Sequence, residues 1–242
     1  MGAGLAGSFT RDGGQYCTKP GLVFVPADAG FEEALCDALG PIGAHRLLTD
    51  GIDAAFATGA ARLGGLDRAE VLWRGAADEG VAPATVIATD ATALAADADA
   101  WLRECFGPLT VLVRYEDRAE LDAAIAALEG GLTASIHHAP GEDVTALAAA
   151  LDRVAGRLVF NGWPTGVAIG WAQHHGGGWP ATTASVHTSV GATAIRRFLT
   201  PVAYQDAPAD VLPPELRDGD AGIPRRIDGV LVVSDRSNQK EK

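Results

Sequence analysis

The sequence predicts an α/β domain: a mostly parallel sheet covered by helices on both faces. Three observations lead to it. Short apolar runs of strand length recur along the chain, stretches with helical spacing separate them, and 48% of the 242 residues are hydrophobic, enough to fill a substantial core. Strands joined through helices of this length form right-handed crossovers, which set neighbouring strands parallel and place helices on both faces of the sheet.

The first strand is the apolar run Leu22-Val23-Phe24-Val25, entered from a glycine- and proline-rich turn. Phe31 to Leu39 reads as a short helix with Glu32 and Glu33 in its first turn, where carboxylates suit the positive end of the helix dipole. Asp50 can cap an Ala-rich helix that runs to about Leu63 and closes at Gly64-Gly65. Thr85 to Ala88 is a strand, Thr89 to Arg103 a helix, Leu109 to Tyr115 a strand, and Asp117 to Leu128 a helix ending at Gly130-Gly131. Leu132 to His137 (strand), Asp143 to Ala155 (helix) and Leu158 to Phe160 (strand) complete the alternation. Pro201 to Gln205 could add one more strand. A proline-rich segment follows over Ala207 to Pro214, and Ser234 to Lys242 is polar without apolar periodicity, the composition of a disordered end. The domain expectation is 1–205 for the α/β domain and 206–242 for a partly disordered tail.

Composition removes several function classes. With 31 acidic against 19 basic residues the formal charge is −12, the wrong sign for nucleic acid, whose phosphates draw on clustered Lys and Arg. No run approaches the ~20 apolar residues that span a bilayer, and Met1-Gly2-Ala3-Gly4-Leu5 lacks the basic and apolar regions of a secretory signal. The chain reads as soluble and cytoplasmic. Its three cysteines, 17, 36 and 105, form no C-x-x-C pair, which suits reduced thiols in a reducing compartment. His137, His138, His174, His175 and His187 show none of the helical i, i+4 spacing or Cys/His clustering that zinc favours, so no metal is expected.

Cys17 lies in Gly14-Gln15-Tyr16-Cys17-Thr18-Lys19-Pro20-Gly21, at the mouth of the first strand. A thiol there is placed as a nucleophile, because such a turn leaves backbone N–H groups free to stabilise a thiolate or an oxyanion; the plain alternative is a half-buried packing thiol. Downstream, Glu104-Cys105-Phe106-Gly107-Pro108 leads into the Leu109 strand. In this order the two segments resemble the aldehyde dehydrogenase superfamily, whose catalytic half carries G-Q-x-C-T-x-P-G and then E-x-F-G-P. A third stretch, Gly156 to Val167, with His175-Gly176-Gly177 and Trp179 to Thr182, is similar to the branch containing 2-oxoglutarate semialdehyde (2,5-dioxopentanoate) dehydrogenases and NADP-dependent fatty aldehyde dehydrogenases.

The resemblance implies roles. Cys17 attacks the aldehyde to give a thiohemiacetal, and loss of hydride to NAD or NADP leaves a thioester, the backbone N–H of Cys17 serving the oxyanion. Glu104 bonds the nicotinamide ribose hydroxyls, and Phe106 packs beside the ring. Asn161, Trp163 and His175 contact substrate, with Trp171 and Trp179 along the tunnel. Cys36 and Cys105 belong to packing. The resemblance further implies a small-molecule aldehyde or semialdehyde substrate, and a homo-oligomer in which the strand near 201–205 pairs across a subunit boundary. Aldehyde dehydrogenases carry a coenzyme-binding domain ahead of the catalytic one, and this sequence contains no Gly-rich dinucleotide turn. The expectation is a catalytic half, truncated and weakly active alone, whose coenzyme-binding partner lies outside it together with an oxyanion-hole Asn and a general-base Glu.

Two other readings stay open. A cysteine hydrolase could assemble from Cys17, His174 or His175, and Asn161. A remnant or split subunit could fold and associate without turnover of its own.

Overall fold

The structure, a computed structural model, describes residues 1–27, 30–76, 80–219 and 222–233. The chain divides into two compact units, Met1–Arg197 and Phe198–Lys242.

The first unit opens with helix α1 (Gly2–Phe9) and a 3-10 turn (Arg11–Gly14), continues through strand β1 (Leu22–Pro26), and then carries helices α2 (Phe31–Leu39) and α3 (Asp50–Gly64). Strands β2 (Glu70–Arg74) and β3 (Thr85–Asp90) are followed by the short helices α4 (Ala91–Ala96) and α5 (Ala98–Leu102), then by β4 (Leu109–Tyr115) and α6 (Arg118–Ala126). Strand β5 (Ala134–Ile136), helix α7 (Thr145–Leu151) and strand β6 (Leu158–Phe160) come last. The four-stranded sheet has the order β1-β4-β3-β2; β1, β4 and β3 run parallel, and β2 is an antiparallel edge strand. Strands β5 and β6 form a separate parallel pair.

The central strands read as unbroken apolar runs because helices cover both faces. On one face Ile87, Leu109, Val111 and Val113 pack against Phe56, Ala60 and Leu63 of α3 and against Leu94 and Trp101. On the other, Val86, Ala88 and Leu112 meet Leu5 and Phe9 of α1 and Leu35 and Leu39 of α2. Alternate residues of one strand thus enter opposite cores, as the two-residue period of a strand requires. A third cluster joins α6 and α7 to the small sheet through Leu121, Ile125, Ile136 and Leu151. Among the described residues, no helix is long and apolar enough to cross a membrane.

Several local expectations shift. The helix expected over 89–103 is two helices, because Asp97 accepts a hydrogen bond from Ala100 N–H and caps α5 as Asp90 caps α4 through Ala93 N–H. Thr49, not Asp50, caps α3, accepting from Ile52 N–H at 3.2 Å. Glu32 serves a partner rather than the helix dipole: Arg114, near the end of β4, grips both its carboxylate oxygens and holds α2 to the sheet. Helix α1 and strand β2 have no counterpart in the sequence expectation.

In the second unit, β7 (Arg225–Ile227) and β8 (Val230–Val232) form an antiparallel hairpin closed by Asp228-Gly229, both at positive φ. This hairpin lies within the segment 206–242. Residues 201–205 carry no ladder pairing among the described residues. The disorder expected over Ser234 to Lys242 lies outside the described residues.

Candidate active site

The two motifs meet because of strand order. Each immediately precedes a strand, Cys17 before β1 and Glu104 to Pro108 before β4, and β1 and β4 are parallel neighbours with Leu22 opposite Val111. Both turns therefore leave the same end of the sheet side by side. Gly14 adopts φ +68° and lies so close to Gly107 that a methyl group there would fall on the Gly107 carbonyl and the Pro108 nitrogen. Gly107 itself, at φ +142°, has the Phe56 ring over its Cα. Gly14→Ala should therefore cost about 2–4 kcal/mol through left-handed strain and overpacking, read as a lowered urea midpoint with little change in slope.

Cys17 is exposed, and its backbone N–H has no hydrogen-bond partner among the described residues, as an oxyanion donor would require. Its Sγ stands 3.3 Å from His175 Nε2. The loop carrying His175 is fixed from both sides. His175 N–H donates to Thr188 Oγ1, and its carbonyl accepts from the N–H and the hydroxyl of Ser189. The following glycines press onto the loops that lead into β5 and β6: side chains at Gly156 and Gly177 would strike the carbonyls of Gly176 and Gly131. These loops, too, precede parallel strands, so the contributing segments share one kind of position in the fold.

The electrostatics favour a neutral imidazole. Burial is the main cause pushing the His175 pKa below its ordinary value, and the charges of Arg157 and His174 add to it. His175 Nδ1 is buried without a partner among the described residues, so an imidazolium would leave a charged N–H unsatisfied there. In the tautomer that carries its proton on Nδ1, Nε2 can accept the Cys17 proton. Arg157 is a residue that sequence reasoning passed over. Its guanidinium donates to Thr133 Oγ1 and to the carbonyls of Pro164 and Gly166, and its charge is felt at both Cys17 and His175.

The remaining candidates separate into two groups. Glu104 is exposed with no hydrogen bond or ion pair among the described residues, and Phe106 beside it is half-buried. Asn161 and Trp163 serve the loop after β6 instead of standing on the thiol. Asn161, at φ +50°, uses its side-chain oxygen to accept from His138 N–H. Trp163 stacks on His137 at 4.4 Å and packs against the core built on α1. Trp171 and Trp179 are exposed. Of the hydrolase set, Cys17 and His175 are in contact, while Asn161 is engaged by His138 and His175 Nδ1 has no partner among the described residues.

Cys36 and Cys105 differ from Cys17 as packing thiols should. Cys105 is buried, its Sγ 3.6 Å from the Phe56 carbonyl, and burial pushes its pKa up; burial does the same to Cys36, reinforced by Glu32 and Asp37. Each unit of such a rise cuts the thiolate about tenfold. Brief iodoacetamide treatment of the folded chain should therefore label Cys17 first by peptide mapping; preferential labelling of either other cysteine would contradict the assignment.

No family model matches the chain. Alpha-ketoglutaric semialdehyde dehydrogenase 2 of Azospirillum brasilense is 40% identical over 236 residues, covering 95% of this chain and 45% of that protein. The alpha-ketoglutaric semialdehyde dehydrogenase of Acinetobacter baylyi is 36% identical over 233 residues, 93% of this chain and 44% of that protein. The chain thus spans less than half the length of the curated relatives it matches. Among solved structures, Bradyrhizobium japonicum proline utilization A superposes on 73% of this chain and 19% of its own with a TM-score of 0.61 at 22% identity. An aldehyde dehydrogenase from Bacillus cereus, in its NAD+ complex, does so over 73% of this chain and 37% of its own, with a TM-score of 0.58 at 18% identity. These structures share the α/β fold described above. With two relatives of that identity along nearly its whole length, and with both sequence motifs brought together at one end of the sheet, the chain belongs to the aldehyde dehydrogenase superfamily.

Proposed function

We propose that the chain is the catalytic half of an NAD(P)-dependent aldehyde dehydrogenase that oxidises a semialdehyde, 2-oxoglutarate semialdehyde foremost, to the carboxylic acid through a thioester on Cys17. The observation that carries this reading is the exposed Cys17 thiol 3.3 Å from a buried, neutral-leaning imidazole, in a chain 36–40% identical to semialdehyde dehydrogenases.

The chemistry follows from the residues. His175 Nε2 takes the thiol proton as Cys17 Sγ bonds to the aldehyde carbon, and the oxygen of the resulting thiohemiacetal is met by the free Cys17 N–H. Because Nδ1 of His175 has no acceptor among the described residues, the imidazolium is a poor resting state and the proton passes on readily. Arg157 gives the site a positive field in a chain of formal charge −12, which favours a substrate carrying a remote carboxylate over a neutral alkyl aldehyde.

The coenzyme site fits in part. The unpaired Glu104 carboxylate is an apt acceptor for a vicinal diol, and Phe106 offers an apolar face beside it. When bound, NAD or NADP supplies the hydride acceptor. The adenine and pyrophosphate ends need a further segment, in the same polypeptide or in a partner. A second reading, a split subunit without independent turnover, draws on the chain's spanning less than half of its relatives. The cytoplasm suits either, because the thiol must stay reduced.

The test is complementation. The chain alone should bind NAD+ or NADP+ more weakly than about 1 mM by calorimetry. Mixed with, or fused to, the part of the A. brasilense enzyme that it does not cover, it should form reduced coenzyme from 2-oxoglutarate semialdehyde. Micromolar coenzyme binding by the chain alone would contradict the partial site. Acyl transfer without coenzyme would favour a hydrolase.

A further inference from the structure

Lys19 lies two residues past the nucleophile, in the turn that the motifs share, and its ammonium is turned inward. Its Nζ donates to the Leu109 carbonyl at 2.7 Å and to the Cys105 carbonyl at 3.3 Å. Those carbonyls flank the Phe106-Gly107-Pro108 turn on either side, so a single cation bridges the Cys17 turn to both ends of the segment that presents Glu104 and Phe106. A charged donor to two carbonyls in a partly buried place makes a stronger tie than a neutral one. Gly14 against Gly107 brings the two turns into contact, but a glycine contact resists only compression. The Lys19 bonds resist separation.

We propose that Lys19 is a positioning residue that fixes the Glu104–Phe106 segment relative to the Cys17 thiol, so that the nucleophile and the coenzyme-facing loop behave as one body. The proposal rests on the aldehyde dehydrogenase reading for its purpose, but the tie itself is a property of the chain alone. A nucleophile two residues away must meet a carbon held over the coenzyme-facing loop, and small errors in such a separation are expensive in rate. The groups facing Lys19 are Cys105 and Glu104, both of which raise its pKa, while burial lowers it to about 8. Above that pH the ammonium loses its charge and the tie weakens to neutral hydrogen bonds. Cys105 reports the result, because its thiol is buried at 6% exposure only while its segment is held down.

The experiment is iodoacetamide labelling of Cys105 in the folded chain across pH 7 to 9.5, with each Cys105 rate divided by that of Cys36, a thiol whose pKa burial also raises. In the wild type the corrected Cys105 rate should rise about tenfold as pH passes through 8. Lys19→Met should give the high rate at every pH, and Lys19→Arg, charged throughout, should hold the low rate, with Cys36 unchanged in all three. A corrected wild-type rate that stays flat through pH 8, or a Lys19→Met chain that keeps Cys105 as protected as wild type, overturns the proposal. If Lys19→Met fails to fold, the flat or rising profile of the wild type decides alone. Failure of the complemented chain to form reduced coenzyme would sink the proposed function and leave these labelling rates where they are.

Discussion

Cys17→Ala should bring aldehyde oxidation by the complemented enzyme to background. On the proposed mechanism the substitution removes the atom that bonds the substrate carbon, and neither other thiol is placed to replace it: Cys105 is buried against the Phe56 carbonyl, and Cys36 sits between α2 and β2 with its Sγ 3.9 Å from the Leu72 carbonyl. The loss should appear wholly in kcat, with coenzyme binding unchanged, since Cys17 contributes nothing to holding the ribose. Steady-state rates and calorimetry on the same preparation check it. Retained turnover in Cys17→Ala would mean that the family motif has been read onto the wrong chemistry.

His175→Ala should cost about 10²–10⁴ in kcat, the usual range for a positioned acid or base, with a smaller change in KM. The sequence placed His175 among substrate contacts, where its loss would weaken affinity; the 3.3 Å approach of Nε2 to Cys17 Sγ moves the expected effect to the chemical step. The pH dependence follows in sign. The neutral imidazole is the working form, and burial, then Arg157 and His174, hold its pKa below the ordinary value of about 6.5. The wild-type rate should therefore persist as pH falls to about 6.5 and decline only below it. In His175→Ala that acid limb should vanish, and His174→Ala should shift the limb upward slightly by removing a nearby positive charge. A KM-only defect in His175→Ala would return the residue to the substrate pocket.

Much of the fold was legible because the signals were local. Strands β1, β3, β4 and β6 stand as apolar runs between helical stretches, and a carboxylate or hydroxyl marks the start of α3, α4 and α6. What escaped has physical causes. Helix α1 is Gly-rich, Gly2 and Gly4 lying against α2 and Trp163, so its packing rather than its propensity makes it a helix. Strand β2 is an exposed edge whose residues alternate weakly, and only pairing with β3 defines it. The hairpin of β7 and β8 did announce itself, through Asp228-Gly229 between apolar residues, and the surrounding proline-rich composition obscured it.

The site divides the same way. Cys17, Glu104 and Phe106 lie in motifs adjacent to their strands, so the sequence alone offers them as candidates. The partnership of Cys17 with His175 spans 158 positions and depends on glycines at 131, 156, 176 and 177 letting loops approach, a contact that no local pattern records. Lys19 and Arg157 lie within the motif-bearing segments, but their inward turn toward backbone carbonyls is a tertiary fact. Asn161 and Trp163, likewise candidates by segment, make contacts that no local pattern records, Asn161 with His138 and Trp163 with His137.

The central claim is a covalent acyl group on Cys17. It is tested most directly by quenching the complemented enzyme with acid during turnover of 2-oxoglutarate semialdehyde and locating the adduct by peptide mass spectrometry. The expected result is an acyl mass on the peptide containing Cys17, present only when NAD+ or NADP+ is supplied and reduced coenzyme is forming. Reduced coenzyme without any adduct on Cys17, or an adduct on the peptide of Cys36 or Cys105 instead, would contradict the account.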